Sequence, residues 1–141
     1  MRLVLDTNIL ISGLLSQVAP PAQLLQRWLE GRYELATSPA QVEELTRVLT
    51  YKKLQARIPT DHATDLLNNL DALAIIVSDL SIITLSGDPA DNVILATAVA
   101  SRADGLVSGD KTDLLVHHSI QGIPIVTARQ ALGWMSKPGV T

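Results

Sequence analysis

Residues 3–15 read LVLDTNILISGLL, and this stretch decides the fold. Its first three residues predict a short buried strand, Leu3–Leu5, and the second apolar run predicts a helix over Ile9–Leu15. Asp6 stands between them, a carboxylate at the carboxyl end of a wholly apolar strand. Open parallel sheets bind ligands outside the carboxyl ends of their strands, so Asp6 occupies a position where such sites are built.

Length and composition indicate a globular chain with a large core. The 141 residues match the size of one domain, and we expect a single domain over residues 1–141. Hydrophobic residues make up 47% and charged residues 18%, which excludes a disordered chain. The absence of cysteine excludes disulfides and thiolate metal sites, and suits a cytoplasmic protein. We see no signal peptide and no apolar run of the ~18 residues that a membrane span needs.

The rest of the chain alternates predicted strands and helices. This alternation favours parallel pairing in a layered α/β sheet, and the continuous apolar strands favour helices on both faces. Pro124 lies within the last strand and predicts that this strand is an edge of the sheet. The further strands are predicted at Tyr33–Ala36, Ala74–Val77, Gly105–Ser108 and Ile123–Val126. The further helices are predicted at Ala22–Glu30, from Ser38 to about Leu49, from Thr60 to about Leu73, from Asp88 to Arg102, and at Thr127–Trp134.

The helix predicted from Ser38 has a well-defined start. Ser38 is the cap, Pro39 takes the first helical position, and Gln41 lies three residues after the cap. Along this helix, Glu44 sits at the border of the apolar stripe, whereas Glu43 points to the opposite side. Glu44 is therefore the acid that could face a cleft.

Two further acids fall near the same edge of the predicted sheet. Asp110 lies two residues past the strand at Gly105–Ser108, so it shares an edge with Asp6 if the two strands are neighbours. Asp91 lies in the first turn of the helix that leads to that strand. Each acid also has an ordinary structural interpretation. Asp6 could be a simple strand-end aspartate, Asp88 a helix cap, Asp91 a partner of the helix dipole, Glu44 a charged helix border, and Asp110 and Asp113 turn residues.

Converging carboxylates would repel one another unless they hold a hard cation. Two bare charges ~4 Å apart repel by about 1 kcal/mol in water and by several times more near a protein surface. Oxygen ligands without cysteine or paired histidines suit Mg²⁺ or Mn²⁺, since the adjacent His117 and His118 face different directions. A carboxylate-held cation of this kind activates water for phosphoryl displacement.

A basic stretch lies between residues 47 and 57. It carries four positive side chains beside Tyr51, and these are Arg47, Lys52, Lys53 and Arg57. Such a stretch can grip a phosphate backbone and stack a base. The alternative is a solvated helix end whose cations complement the dipole. The net charge of −3 argues against a broadly basic nucleic-acid binder.

Four stretches of the chain together resemble the PIN-domain ribonucleases, in particular the VapC-like toxins of prokaryotic toxin–antitoxin systems. The likeness runs from Arg2 to about Leu132. The stretches are LVLDTNILISGLL, SPAQVEELTRVL, DPADNVILATAVASRADGLVSGDKTDLL and IPIVTARQAL.

The resemblance implies a three-layer α/β/α fold with a central parallel five-stranded sheet, and an endoribonuclease that depends on Mg²⁺ or Mn²⁺. It also implies a small antitoxin as partner and a homodimer, for which Trp28 or the helix near Trp134 could serve. Matched by motif, the family's four acids are Asp6, Glu44, Asp91 and Asp110, of which Asp6, Asp91 and Asp110 would hold the metal. Asn8, Ser38 and Asp113 match supporting positions.

Two other functions remain open at this point. A catalytically inactive PIN-like module would bind RNA or a partner protein without cutting. A Mg²⁺-dependent phosphatase or phosphotransfer receiver would need a phospho-accepting aspartate with a lysine near a later strand end. Lys111 is the only candidate for that lysine, and no Asp-x-Asp pattern follows the first strand.

Overall fold

The computed structural model describes residues 1–109 and 114–135, and within them the chain forms one six-stranded sheet. The strands lie in the order β3-β2-β1-β4-β6-β5, and all neighbours are parallel except β5 and β6. Their bounds are β1 Arg2–Leu5, β2 Glu34–Thr37, β3 Ile75–Ile76, β4 Gly105–Val107, β5 Ser119–Ile120 and β6 Ile123–Val126. The central pair is β1 and β4, so the strand-end residues Asp6 and Ser108 are neighbours across the sheet.

Seven α-helices connect these strands in the described part of the chain, together with a short 3₁₀ turn at Leu115–His117. The helices are α1 Thr7–Leu15, α2 Pro20–Leu29, α3 Pro39–Val48, α4 Lys52–Gln55, α5 Thr60–Leu73, α6 Pro89–Ser101 and α7 Ala128–Gly133. Among the described residues, no helix combines the length and apolar character that crossing a membrane requires.

The sheet separates two hydrophobic cores, which gives the expected three layers. Alternate strand residues face opposite sides because the side-chain period of a strand is two. On one face, Leu3, Leu5 and Leu35 pack against α1, α2, α3, α5 and α7. On the other face, Val4 and Leu106 pack against α6.

Local sequence signals account for where the connecting helices begin. Asp6, Ser38 and Asp88 each accept a backbone N–H as helix cap, and proline follows at the first helical turn of α3 and α6. Thr127 and Gln130 form a reciprocal capping box at the start of α7. These caps hold the chain where it leaves the carboxyl ends of β1, β2 and β6.

The last part of the sheet differs from the prediction. The sheet has six strands rather than five, because the two-residue β5 adds an antiparallel partner to β6. The prediction that β6 forms an edge was therefore wrong. Pro124 is the second residue of β6 and lies opposite Ser119 of β5, while pairing of β6 with β4 begins only at Ile125.

Two side chains considered for a dimer interface differ in their exposure. Trp28 is only 5% exposed and packs into the core beside Leu24, so its ring is not available to a second copy. Trp134 is 43% exposed, and its ring lies against Gly105 at the start of β4. Of the two tryptophans, only Trp134 remains available to a partner.

Candidate active site

Asp6 lies at the carboxyl end of β1 with its carboxylate held from two directions. One oxygen, Oδ1, accepts the backbone N–H of Asn8 at 3.1 Å, which caps α1. The other oxygen, Oδ2, accepts the hydroxyl of Ser108 at 2.8 Å, from the end of the neighbouring strand β4. Asp6 is only 3% exposed, so its direction is set by these contacts rather than by solvent. Asn8 contributes its backbone N–H, while its side chain is exposed.

Asp91 reaches the same edge of the sheet from α6. The carboxyl end of α6 is fixed near the start of β1, because the guanidinium of Arg2 donates to the Ser101 carbonyl at 2.6 Å. Measured from this contact, Asp91 lies ten positions back along α6, a rise of about 15 Å. Asp6 lies four positions on along the strand, a distance of about 13 Å. Asp91 and Asp6 therefore lie at a similar height. Asp91 is 8% exposed, and the hydroxyl of Ser86 lies 3.5 Å from its Oδ2.

Ser38 connects the start of α3 with the middle of α6. Its Oγ accepts the backbone N–H of Gln41 at 3.3 Å and lies 2.9 Å from the hydroxyl of Thr97. Thr97 donates its single proton to the Val93 carbonyl at 2.8 Å, so the Ser38 hydroxyl must be the donor to Thr97. Both residues are fully buried. This contact ties together the helices that carry Glu44 and Asp91.

Glu44 lies in the second turn of α3 and is partly buried, while its neighbour Glu43 is exposed, as the helical pattern predicted. Asp110 and Asp113 lie outside the described residues, as does Lys111 of the phosphotransfer alternative. Within residues 1–109 and 114–135, no three acidic or histidine side chains gather closely enough to hold a metal ion. Asp6 and Asp91 thus lie at the carboxyl edge of the sheet, and Glu44 does not join them in a group of three possible metal ligands.

The four basic residues all lie on the surface of the protein. Arg47 is in the last turn of α3, Lys52 and Lys53 are in α4, and Arg57 follows α4. All four are exposed, and Tyr51 beside them is 48% exposed. Neither of the ion pairs found among the described residues involves any of the four. They form an exposed basic surface without a carboxylate partner in that part of the chain.

Several buried polar residues around Asp6 were missed by sequence reasoning. Thr37, Thr97 and Ser108 are fully buried, and Gln41 is 1% exposed. Gln41 was interpreted only as a residue at the start of α3, yet its amide turns inward towards β1 and β2. The sequence offered one signal for this group of residues: Ser108 follows an apolar strand just as Asp6 does.

A layered α/β chain with buried carboxylates at the carboxyl edge of its central strands belongs to the class of proteins that build their sites at strand ends. A family model described as PIN domain matches residues 2–112. The chain therefore belongs to the PIN domain family.

Comparison with solved structures agrees on the fold. The structure is similar to a chain in the crystal structure of VapBC2 from Rickettsia felis bound to a DNA fragment from their promoter. The TM-score is 0.59 at 17% sequence identity, and the match covers 89% of this chain and 97% of that one. No curated protein sequence matches this chain.

Proposed function

We propose that this PIN-domain protein is a metal-dependent endoribonuclease that hydrolyses RNA phosphodiester bonds. The observation that carries the proposal is the pair of buried carboxylates, Asp6 and Asp91, at one edge of the sheet in a chain of this family. Burying carboxylates costs several kcal/mol each unless they are paired, hydrogen-bonded or bound to a metal. At Asp6, the hydrogen bonds from Asn8 and Ser108 offset part of this cost, and a cation bound at this edge would offset more.

The donor atoms at this edge fit a hard divalent cation. Asp6 and Asp91 offer carboxylate oxygens, which Mg²⁺ and Mn²⁺ prefer. The hydroxyl of Thr7, the residue after Asp6, is buried and has no hydrogen-bond partner among residues 1–109 and 114–135. Asp110 is the proposed third ligand, with Asp113 as a nearby second candidate. A cation held there supplies an activated water and charge stabilisation for the phosphodiester.

The chain's own residues have separate proposed roles in this reaction. Ser108 and the Asn8 backbone orient the carboxylate of Asp6, and Ser86 lies beside that of Asp91. Glu44 is the fourth acid, as ligand or outer-shell group. Ser38 supports the arrangement by holding α3 against α6.

The basic surface formed by Arg47, Lys52, Lys53 and Arg57 is the proposed contact for the RNA backbone. α3 runs from Ser38 towards this surface, and the nine residues to Arg47 rise about 14 Å. Single-stranded binding loses about 0.7 logarithmic units per logarithmic unit of salt for each phosphate neutralised. Replacing Lys52 and Lys53 by glutamine should therefore lower that slope by about 1.4. Replacing the exposed Arg129 of α7 should leave it unchanged.

The proposed biological role is that of the toxin in a toxin–antitoxin pair. The support is the PIN family and the similarity in fold to a VapBC2 chain. A small antitoxin protein and a second copy of the chain are then the proposed partners. The nature of the gene immediately upstream tests this role, since a small reading frame encoding a DNA-binding antitoxin is expected there.

The second candidate function is an inactive PIN-like module that binds RNA or protein without cutting. The described ranges hold no complete group of three possible metal ligands, and the proposed third ligand, Asp110, lies outside those ranges. This module predicts RNA or antitoxin binding that persists in the presence of chelator, and no cleavage with either metal.

Cleavage of single-stranded and tRNA-like RNA with Mg²⁺ or Mn²⁺ tests the nuclease proposal. Wild type should cleave, and chelator should abolish cleavage. Asp6→Asn should lose nearly all activity, and Glu44→Gln should lose far more than the matched Glu43→Gln variant. Equal residual activity of wild type and Asp6→Asn would end the assignment of Asp6. Absence of cleavage with either metal would favour the inactive module.

A further inference from the structure

Gln41 is a buried polar side chain whose placement the core does not require. It lies in the first turn of α3, on the same side as the fully buried Leu45, one turn further on. An apolar residue would fill this position without desolvating an amide, which costs roughly 2–7 kcal/mol if no hydrogen bond replaces water. At Gln41, both ends of the amide are hydrogen-bonded inside the protein.

The amide of Gln41 bridges the carboxyl ends of two adjacent strands. Its Nε2 donates to the Leu5 carbonyl at 2.6 Å, at the last residue of β1. Its Oε1 accepts the hydroxyl of Thr37 at 2.6 Å, at the last residue of β2. The Leu5 carbonyl can only accept, so the amide NH₂ group must face Leu5, which leaves Oε1 to accept from the Thr37 hydroxyl.

A side chain takes this role because the backbone of β2 has already turned away. Alternate carbonyls of β1 face β2, as the bond from the Glu34 N–H to the Met1 carbonyl demonstrates. Leu5 is an even number of residues from Met1, so its carbonyl faces the same side. The register would next bring the Ser38 N–H to this carbonyl, but β2 ends at Thr37 and Ser38 leaves the strand as the cap of α3. Gln41 supplies the missing donor from α3.

The peptide group held by Gln41 is the one that joins Leu5 to Asp6. Its carbonyl is bound by Gln41, and its N–H, which belongs to Asp6, donates to the Val107 carbonyl of β4 at 2.9 Å. Peptide groups are planar, so fixing both ends fixes the plane from which the Asp6 side chain departs. A carboxylate that binds a ligand must be held within about 0.5 Å of its working position, and a fixed backbone plane supplies that support.

We propose that Gln41 is a positioning residue, which clamps the Leu5–Asp6 peptide group and thereby sets the direction of the Asp6 carboxylate in the candidate site. The clamp itself rests on hydrogen bonds alone, and its consequence for metal binding rests on the proposed function. Gln41 makes no contact with the Asp6 side chain in these hydrogen bonds and acts through the backbone.

Two variants separate positioning from general stability. Gln41→Leu removes the donor to the Leu5 carbonyl, whereas Thr37→Val removes the partner of Oε1 and leaves that donor in place. Gln41→Leu loses both hydrogen bonds of the amide and Thr37→Val loses one of them, so both variants should lower the urea midpoint. Only Gln41→Leu should loosen the Leu5–Asp6 peptide group. Thr37→Val is therefore the control for a merely structural role.

The first readout is hydrogen exchange of the Asp6 amide without metal, corrected for each variant's global stability. Gln41→Leu should exchange at least tenfold faster than wild type, and Thr37→Val should stay within threefold. Unchanged Asp6 exchange in Gln41→Leu would overturn the proposal, as would equal acceleration in both variants.

The second readout is Mn²⁺ affinity by calorimetry. Gln41→Leu should bind Mn²⁺ at least tenfold more weakly than wild type, while Thr37→Val stays within threefold. Equal affinity of wild type and Gln41→Leu would refute the link from the clamp to the carboxylate. If the exchange result holds and wild type binds no Mn²⁺, the clamp stands and the metal-dependent function fails.

Discussion

The contact between Ser38 and Thr97 gives a quantitative test of how α3 is held against α6. Both residues are fully buried, and their hydroxyls lie 2.9 Å apart. Thr97→Val keeps the side-chain volume and removes two hydrogen bonds, the one shared with Ser38 and the one to the Val93 carbonyl, a loss of about 2 kcal/mol. Ser38→Ala removes the shared bond and also the cap of α3, which adds about 1 kcal/mol, for a total of roughly 2 kcal/mol.

The double variant distinguishes a shared bond from two independent losses. Ser38→Ala combined with Thr97→Val should cost roughly 3 kcal/mol rather than 4, because the common bond is lost only once, and the coupling energy should be about 1 kcal/mol. Urea unfolding measures this: with a slope of about 2 kcal/mol per molar urea, the double variant's midpoint falls by about 1.5 M. Additive effects to within about 0.3 kcal/mol would refute the contact between the two helices.

Two further predictions concern residues away from the candidate site. Tyr33 donates to the Leu24 carbonyl at 2.8 Å, and burial raises its pKa above the ordinary value of 10.0. The tyrosine of the unfolded state therefore ionises first, so the free energy of unfolding is constant below about pH 10 and falls as the pH rises above it. Tyr33→Phe should remove this fall from urea midpoints measured against pH. Replacing the exposed Tyr51 by phenylalanine should leave the fall in place. A Cβ at Gly105 would lie 2.7 Å from the Trp134 ring. Gly105→Ala should therefore lower the melting temperature and alter the tryptophan fluorescence spectrum. An unchanged spectrum would contradict the packing of this ring against Gly105.

Sequence patterning predicted the parts of the fold that depend on local signals. The helix at Thr60–Leu73 was predicted with both ends correct, because its helical pattern of apolar residues continues over 14 residues. The caps at Ser38 and Asp88 were also correct, since each is followed by proline at the first helical position. The strand β5 was missed because two residues carry no periodicity.

The polar network behind Asp6 could not be predicted from local patterns. Gln41 and Thr97 are helical residues whose partners lie 36 and 59 positions away in the chain, at Leu5 and Ser38. The helical pattern shows which side of α3 faces the core, but the unmet hydrogen bond at Leu5 exists only once β2 has ended beside it. The sequence indicated that Asp6 and Asp91 belong to one edge, and left open what holds them there.

Mn²⁺ binding by wild type, Asp6→Asn and Asp91→Asn tests the central claim most directly, with Asp88→Asn as the matched control. Asp88 caps α6 three residues before Asp91, and asparagine caps a helix as well as aspartate does. Calorimetry at neutral pH should show Mn²⁺ binding by wild type and Asp88→Asn, and at least tenfold weaker binding by Asp6→Asn and Asp91→Asn. Equal Mn²⁺ affinity in all four proteins, or no binding by wild type, would contradict the claim that these two carboxylates form a metal site.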